Sequence, residues 1–270
     1  MTPAISAAVA ARLDAALEAV RRAGAETLRW FGGDGLVVDT KADASPVTQA
    51  DRAAEAILRE ALLGAFPADA FLGEETGTTA GTSGYEWVVD PIDGTKSFIR
   101  GVPLYATLVG CRHAGRGVLG VIAIPALDET VYAARGGGAW HVRGGSPSVA
   151  ARVSRRSELS AALLCSSDFT SFDRWSGGAA AGNAARSRLE SACGVVRTWG
   201  DGYGYLLVAT GRADVMVDPL MNAWDAAAVE TVVTEAGGRF TDWSGRDRID
   251  AGDGIATNGL LHAAALALLR

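Results

Sequence analysis

The chain of 270 residues carries 31 acidic against 25 basic side chains, a net charge of −6 at neutral pH. With 49% hydrophobic and 21% charged residues, it can remove about three quarters of its unfolded surface from water, which excludes disorder as its main state. The acidic balance excludes a nucleic-acid footprint, and no run of eighteen apolar residues marks a membrane span. The first residues show no basic start followed by an apolar stretch, so no secretory leader is read. Cys111, Cys165 and Cys193 are too few and too widely spaced for a disulfide framework or a zinc site, and read as small buried hydrophobes. The expectation is a soluble cytoplasmic protein.

Ile5, Val9, Leu13, Leu17, Val20 and Leu28 recur mostly at helical steps, with Arg12, Asp14, Glu18 and Arg21 between them. They predict a first helix over about thirty residues, ended by Gly32, Gly33 and Gly35. A second helix is expected from about Thr48 to Leu63, with Thr48 or Asp51 in its first turn and Gly64 and Pro67 closing it. Strand signals follow at 70–72 and 86–89, the latter stopping at Pro91, with a Gly/Thr/Ser loop from Thr76 to Gly84 between them. Three apolar runs at 105–111, 117–124 and 129–134 read as an antiparallel meander, and the Gly136–Gly138 stretch as a turn.

The second half alternates. Strands are expected at 163–166, 195–197, 213–217 and 239–241, and helices within 172–189, 203–210 and 224–236, with a loop over 218–222. The predicted architecture is an α+β half, residues 1–145, packed against an α/β half, residues 146–270, with a cleft between them. There is no internal repeat.

Chemistry concentrates where strands end. Glu74 and Glu75 follow a strand and a glycine, Asp90 and Asp93 flank Pro91-Ile92, and Asp225 opens a helix. Carboxylates converging without histidine or thiolate suit a hard cation, Mg2+ before Zn2+. His113, His141 and His262 lie away from these motifs and read as surface or structural. Gly94 permits close approach, and the amides of Gly94 and Thr95 at a helix start would face an anion. Metal-holding aspartates beside such amides are what phosphate-ester hydrolysis requires. Each piece has an ordinary alternative: Asp-x-x-Asp-Gly as a solvated turn, Trp224-Asp225 as a helix cap over a packed indole.

In their order and spacing, Pro46-Val47-Thr48-Gln49-Ala50-Asp51, Gly73-Glu74-Glu75, Trp87-Val88-Val89-Asp90-Pro91-Ile92-Asp93-Gly94-Thr95 and Trp224-Asp225-Ala226-Ala227-Ala228, followed by Glu235-Ala236-Gly237-Gly238, resemble the inositol monophosphatase family of Mg2+-dependent, lithium-sensitive phosphatases. The resemblance spans nearly the whole chain and implies a layered αβαβα sandwich with an antiparallel N-terminal sheet and a mixed C-terminal one. It implies two or three Mg2+ ions: Glu74, Asp90 and the Ile92 carbonyl at one, Asp90, Asp93 and Asp225 at another, and Glu74 reaching a third. Thr95, oriented by Asp51, would hold with Glu74 a metal-activated water that attacks in line, without a covalent phospho-enzyme. Asp93, Gly94, Thr95 and Asp225 would face the phosphate.

The segment Arg197-Thr198-Trp199-Gly200-Asp201-Gly202-Tyr203-Gly204-Tyr205 resembles the histidinol-phosphatase branch, with Gly202 where that branch often has cysteine. Histidinol phosphate carries a cationic amine and an imidazole, so Asp201 and Asp218 are candidate partners and Arg197 a candidate orienting group. The alternatives are that Asp201 caps a helix, Tyr203 and Tyr205 are core, and Arg197 pairs with an acidic neighbour. Lys41 is a further candidate for the metal or phosphate region. The expected partner is a small phosphorylated metabolite, and the resemblance suggests a homodimer. Competing functions are an inositol-1-phosphate or broad sugar-phosphate phosphatase, or a silent metal- and phosphate-binding regulator.

Overall fold

The computed structural model describes residues 5–33, 35–40 and 46–270; Lys41 lies outside them. Ser6 accepts a hydrogen bond from the Val9 amide and starts α1 (Ala7–Trp30), which buries Ala16, Ala19, Val20 and Ala23 at three- and four-residue steps. Arg12, expected among the solvated positions, is only 8% exposed. Its guanidinium forms two parallel bonds to Asp69 at 2.9 and 2.8 Å and lies over the Tyr85 ring. A charge partnered this far along the chain leaves no trace in local periodicity.

The short strands β1 (Val38–Thr40) and β2 (Pro46–Thr48) pair antiparallel and lead into α2 (Gln49–Ala65), capped by Thr48. The helix continues one residue past Gly64, because the Phe66 amide still bonds to Leu62, and Pro67 follows outside it. Next come β3 (Ala70–Gly73), β4 (Gly77–Thr79), β5 (Tyr85–Asp93), the single turn α3 (Thr95–Phe98), β6 (Ala106–His113), β7 (Arg116–Ile124), β8 (Glu129–Ala134), β9 (Gly138–Arg143) and β10 (Val149–Ala151). Among the described residues they form a sheet ordered β10-β9-β8-β7-β6-β5-β3-β4, antiparallel except for β3 against β5. The expected meander is its centre. The Gly136–Gly138 turn prolongs it into two strands the sequence reading lacked, and the loop after Thr76 holds β4.

Pro91 does not stop β5. The strand runs on to Asp93, with its register against β6 shifting between Asp90 and Asp93, and Thr107 Oγ1 donates to the Pro91 carbonyl at 2.9 Å. An irregularity of this kind accommodates a proline, which has no N–H to give the ladder, and re-aims the neighbouring side chains.

The second half supplies β11 (Leu163–Cys165), α4 (Ala179–Ala192), β12 (Val195–Arg197), α5 (Asp201–Ala209), β13 (Val215–Met221), α6 (Ala223–Glu235), β14 (Arg239–Thr241), β15 (Gly252–Thr257) and α7 (His262–Leu269). The strands order as β12-β11-β13-β15-β14, parallel around β11 and antiparallel around β15. The 172–189 stretch divides into a 3-10 segment, Phe169–Arg174, and α4, parted by Gly177 and Gly178. The expected loop from Asp218 instead extends β13 against β15 as far as Met221.

α1 and α2 cover one face of the first sheet, while α5 and α6 lie between the two sheets. α4 and α7 close the outside of the second sheet, where Leu189 and Leu269 meet Leu164 and Val215. The fold is therefore the αβαβα sandwich. The core between the sheets gathers Leu108, Ile122, Tyr205, Leu206, Val229 and Val232, which fixes the ends of β5, α5 and α6 beside one another.

Candidate active site

Two elements deliver three aspartates to one place. Asp90 and Asp93 stand on either side of the β5 irregularity, and Asp225 lies in the first turn of α6, where its Oδ2 accepts from the Asn222 amide at 2.6 Å. One carboxylate oxygen from each lies within 4.8 Å of the others. Asp90 is 3% exposed and spends Oδ1 on the Ile92 amide at 3.0 Å. Burial, with the charges of Glu74, Asp93 and Asp225 facing it, pushes Asp90 well above the usual carboxylate range. Burial with Asp201 and Asp225 does the same to Asp93, and Asp225 is pushed up to about 7 by burial and by Glu74. Oxygen donors that repel one another this strongly fit a hard divalent cation, which would let all of them ionise.

Asp51 and Thr95 also come within hydrogen-bonding reach of each other. Asp51, 1% exposed, accepts on Oδ2 from the Thr48 amide at 2.8 Å and the Thr48 hydroxyl at 2.6 Å, completing a reciprocal cap. Its Oδ1 is left for Thr95 Oγ1, at 3.4 Å, and that hydroxyl also reaches the Ile92 carbonyl at 3.0 Å. Gly94 takes φ +83°, and a Cβ on it would stand 2.7 Å from Asp201 Oδ2, so only glycine serves there. The Ser97 and Phe98 amides fold back on the Gly94 carbonyl, which leaves the Gly94 and Thr95 amides at the open start of the turn.

Asp201 joins this cluster in an unusual backbone state. It is a non-glycine residue at φ +52°, its amide donates to Ser167 Oγ at 2.8 Å, and the next amide, Gly202, donates to Asp93 Oδ2 at 2.5 Å. Burial and the nearby Asp218 push its carboxyl up to about 6. Asp218 is placed behind it: both oxygens are occupied, by the Ser167 amide at 2.8 Å, Ser166 Oγ at 3.3 Å and the Tyr205 hydroxyl at 2.9 Å. Tyr203 packs against the central core. Arg197, exposed on β12, donates to the Val196 carbonyl and lies over the Trp199 ring, so its contacts stay on its own strand and loop.

Two contributors escaped the sequence reading. Glu55, fully buried on α2, accepts from the Glu75 and Thr76 amides at 2.8 and 2.7 Å and so holds the loop that presents Glu74. Gly73 leaves the space its carboxylate fills. Ser167 ties Asp201 to Asp218. Thr48-x-x-Asp51 had a legible capping spacing, whereas Glu55 sat among apolar helix positions with nothing to mark it as inward.

The model of the inositol monophosphatase family matches residues 9–270. A histidinol-phosphatase of Chlorobaculum parvum is 43% identical over 91% of this chain and 91% of its own length. An inositol-1-monophosphatase of Rhizobium meliloti is 36% identical over 92% of each chain. The crystal structure of the extragenic suppressor protein suhB from Bartonella henselae superposes with a TM-score of 0.84 at 30% identity, covering 95% of this chain and 97% of that one. Fold, sequence and the convergence of the motif carboxylates place this chain in the inositol monophosphatase family.

Proposed function

We propose that this chain hydrolyses phosphate monoesters with bound Mg2+ and that histidinol phosphate is its preferred ester. One observation carries the reaction class: Asp90, Asp93 and Asp225 meet within 4.8 Å beside the Asp51–Thr95 pair. Those aspartates, Glu74 and the Ile92 carbonyl would hold two or three ions. When bound, such ions neutralise phosphoryl oxygens and lower the pKa of water. The chain's own residues supply orientation. Thr95 donates a hydrogen bond to Asp51 or to the Ile92 carbonyl, so its lone pairs accept from the attacking water, which Glu74 holds from the other side. Thr95 acts as an orienting group and not as the nucleophile, so no phospho-enzyme forms. The Gly94 and Thr95 amides are offered to the phosphate.

The choice of ester rests on Asp201 and on the relative named histidinol-phosphatase. A carboxylate lying against Gly94 favours a substrate whose alcohol part is cationic. Inositol 1-phosphate brings no such charge.

Phosphate release over a panel of esters with saturating Mg2+ is the test. The expected result is a larger kcat/KM for histidinol phosphate than for inositol 1-phosphate or sugar phosphates. The reverse order would reassign the ester and keep the reaction. No turnover on any ester would replace the enzyme with a silent binder.

A further inference from the structure

Away from the carboxylate cluster, a groove of about 520 Å³ opens where the β6–β7 hairpin meets α6 and the end of β14. Arg112 and Arg116 enter it from the hairpin, Arg135 from the turn after β8, Arg239 from β14 and Arg248 from the following loop. Against five guanidinium groups its lining sets two carboxylates, Glu230 and Asp247. That leaves three positive charges in excess within the lining, and one once Glu86 and Asp250, the partners of Arg112 and Arg248 just outside it, are counted, in a chain whose net charge is −6. Sequence-distant arginines converge here although like charges repel.

Their present partners leave donors to spare. Arg135 is held by Glu230 at 3.1 Å and by the Gly117 carbonyl at 2.5 Å. Arg112 and Arg239 stand 3.6 and 3.9 Å from Glu86 and Asp247, and Arg248 pairs with Asp250 at 2.8 Å. No ion pair or side-chain hydrogen bond engages Arg116 among the described residues. Each guanidinium carries five N–H donors in a planar fork that matches phosphate or carboxylate oxygens two at a time. The volume lies in the range of small-molecule sites. Along β6, Arg112 lies six residues from Ala106, the partner of Asp93, which sets the hairpin arginines roughly 20 Å from Asp93, while Ala227 at the groove's inner end lies two residues along α6 from Asp225.

We propose that this groove binds a small polyanion, a molecule bearing two or more phosphate or carboxylate groups, at a site distinct from the catalytic carboxylates. A concave site of this size on an otherwise acidic chain selects a compact ligand over an extended nucleic acid. The assignment does not depend on which ester the enzyme hydrolyses.

Titration calorimetry of the full chain, stripped of metal and then dialysed into chelator-free buffer, with inorganic triphosphate in one arm and citrate in the other, tests it. Saturable one-to-one binding is expected in at least one arm; triphosphate alone assigns phosphates and citrate alone assigns carboxylates. The double variant Arg116→Gln/Arg239→Gln alters exposed side chains only, and should weaken that binding at least tenfold while keeping the unfolding temperature and phosphate release. Asp93→Asn should leave the affinity within about twofold, since it alters the distant site. Absence of saturation in both arms, unchanged affinity in the double variant, or loss of binding in Asp93→Asn would each overturn the proposal.

Discussion

A carboxylate that faces others across a few ångströms, even half-buried, is driven to take up a proton or find a cation. Asp93 and Asp225 are in that position, which gives Asp93→Asn two opposite effects. Turnover should fall about a thousandfold if Asp93 holds a cation as proposed, because several kcal/mol of transition-state stabilisation would depend on that ion. The metal-free chain should unfold at the same or a higher temperature than wild type, because one repelling charge is gone, and Mg2+ should add less stability than it adds to wild type. Steady-state kinetics and thermal melts with and without Mg2+ check both, and near-normal turnover would remove the metal assignment. At Asp201 the conservative change is Asn, which tolerates the left-handed backbone that alanine would strain. Asp201→Asn should lower kcat/KM for histidinol phosphate roughly 10–100-fold and leave inositol 1-phosphate nearly unchanged. An equal loss on both esters would make Asp201 a folding residue.

At the level of elements, the site is held by clamps outside the reacting shell. Glu55 joins α2 to the Glu74 loop through two amide bonds to one buried carboxylate. Glu55→Ala leaves those amides without acceptors, so stability should drop by ~3 kcal/mol. Glu74 loses its support with them, and kcat should fall about tenfold. Urea unfolding and turnover measured on the same preparation separate the two effects; a stability loss with full kcat would make Glu55 purely structural. The β5 irregularity works in the same way. It sets Asp90 and Asp93 toward one point from a single strand, which an uninterrupted alternation would not do.

Over the whole molecule, His262 reports on pH. Buried in the first turn of α7, it contacts the Thr241 and Thr257 hydroxyls at 3.1 Å each, and burial lowers it from 6.5 to about 4. The folded state therefore takes up this proton later than the unfolded chain does. Its contribution is fully present above about pH 6.5 and is lost as pH falls from there toward 4. Urea midpoints should decline over that interval in wild type and more shallowly in His262→Gln; parallel slopes would exclude His262 as the source.

The amino-acid sequence by itself determined the chemistry available: oxygen ligands in Asp-x-x-Asp-Gly and Trp-Asp, a capping Thr48-x-x-Asp51, and the apolar periods that make α1, α2, the meander and α6. Those features are local, because helix and strand periods and caps act over a few residues. Only the tertiary structure decided that Arg12 turns inward to Asp69, that Glu55 grips the Glu74 loop, that β5 passes through Pro91, and that Asp218 stands behind Asp201 while Arg197 stays on its own strand. Each of these is fixed by how sheets and helices pack, and a period in the sequence says which face is apolar without saying what will lie against it.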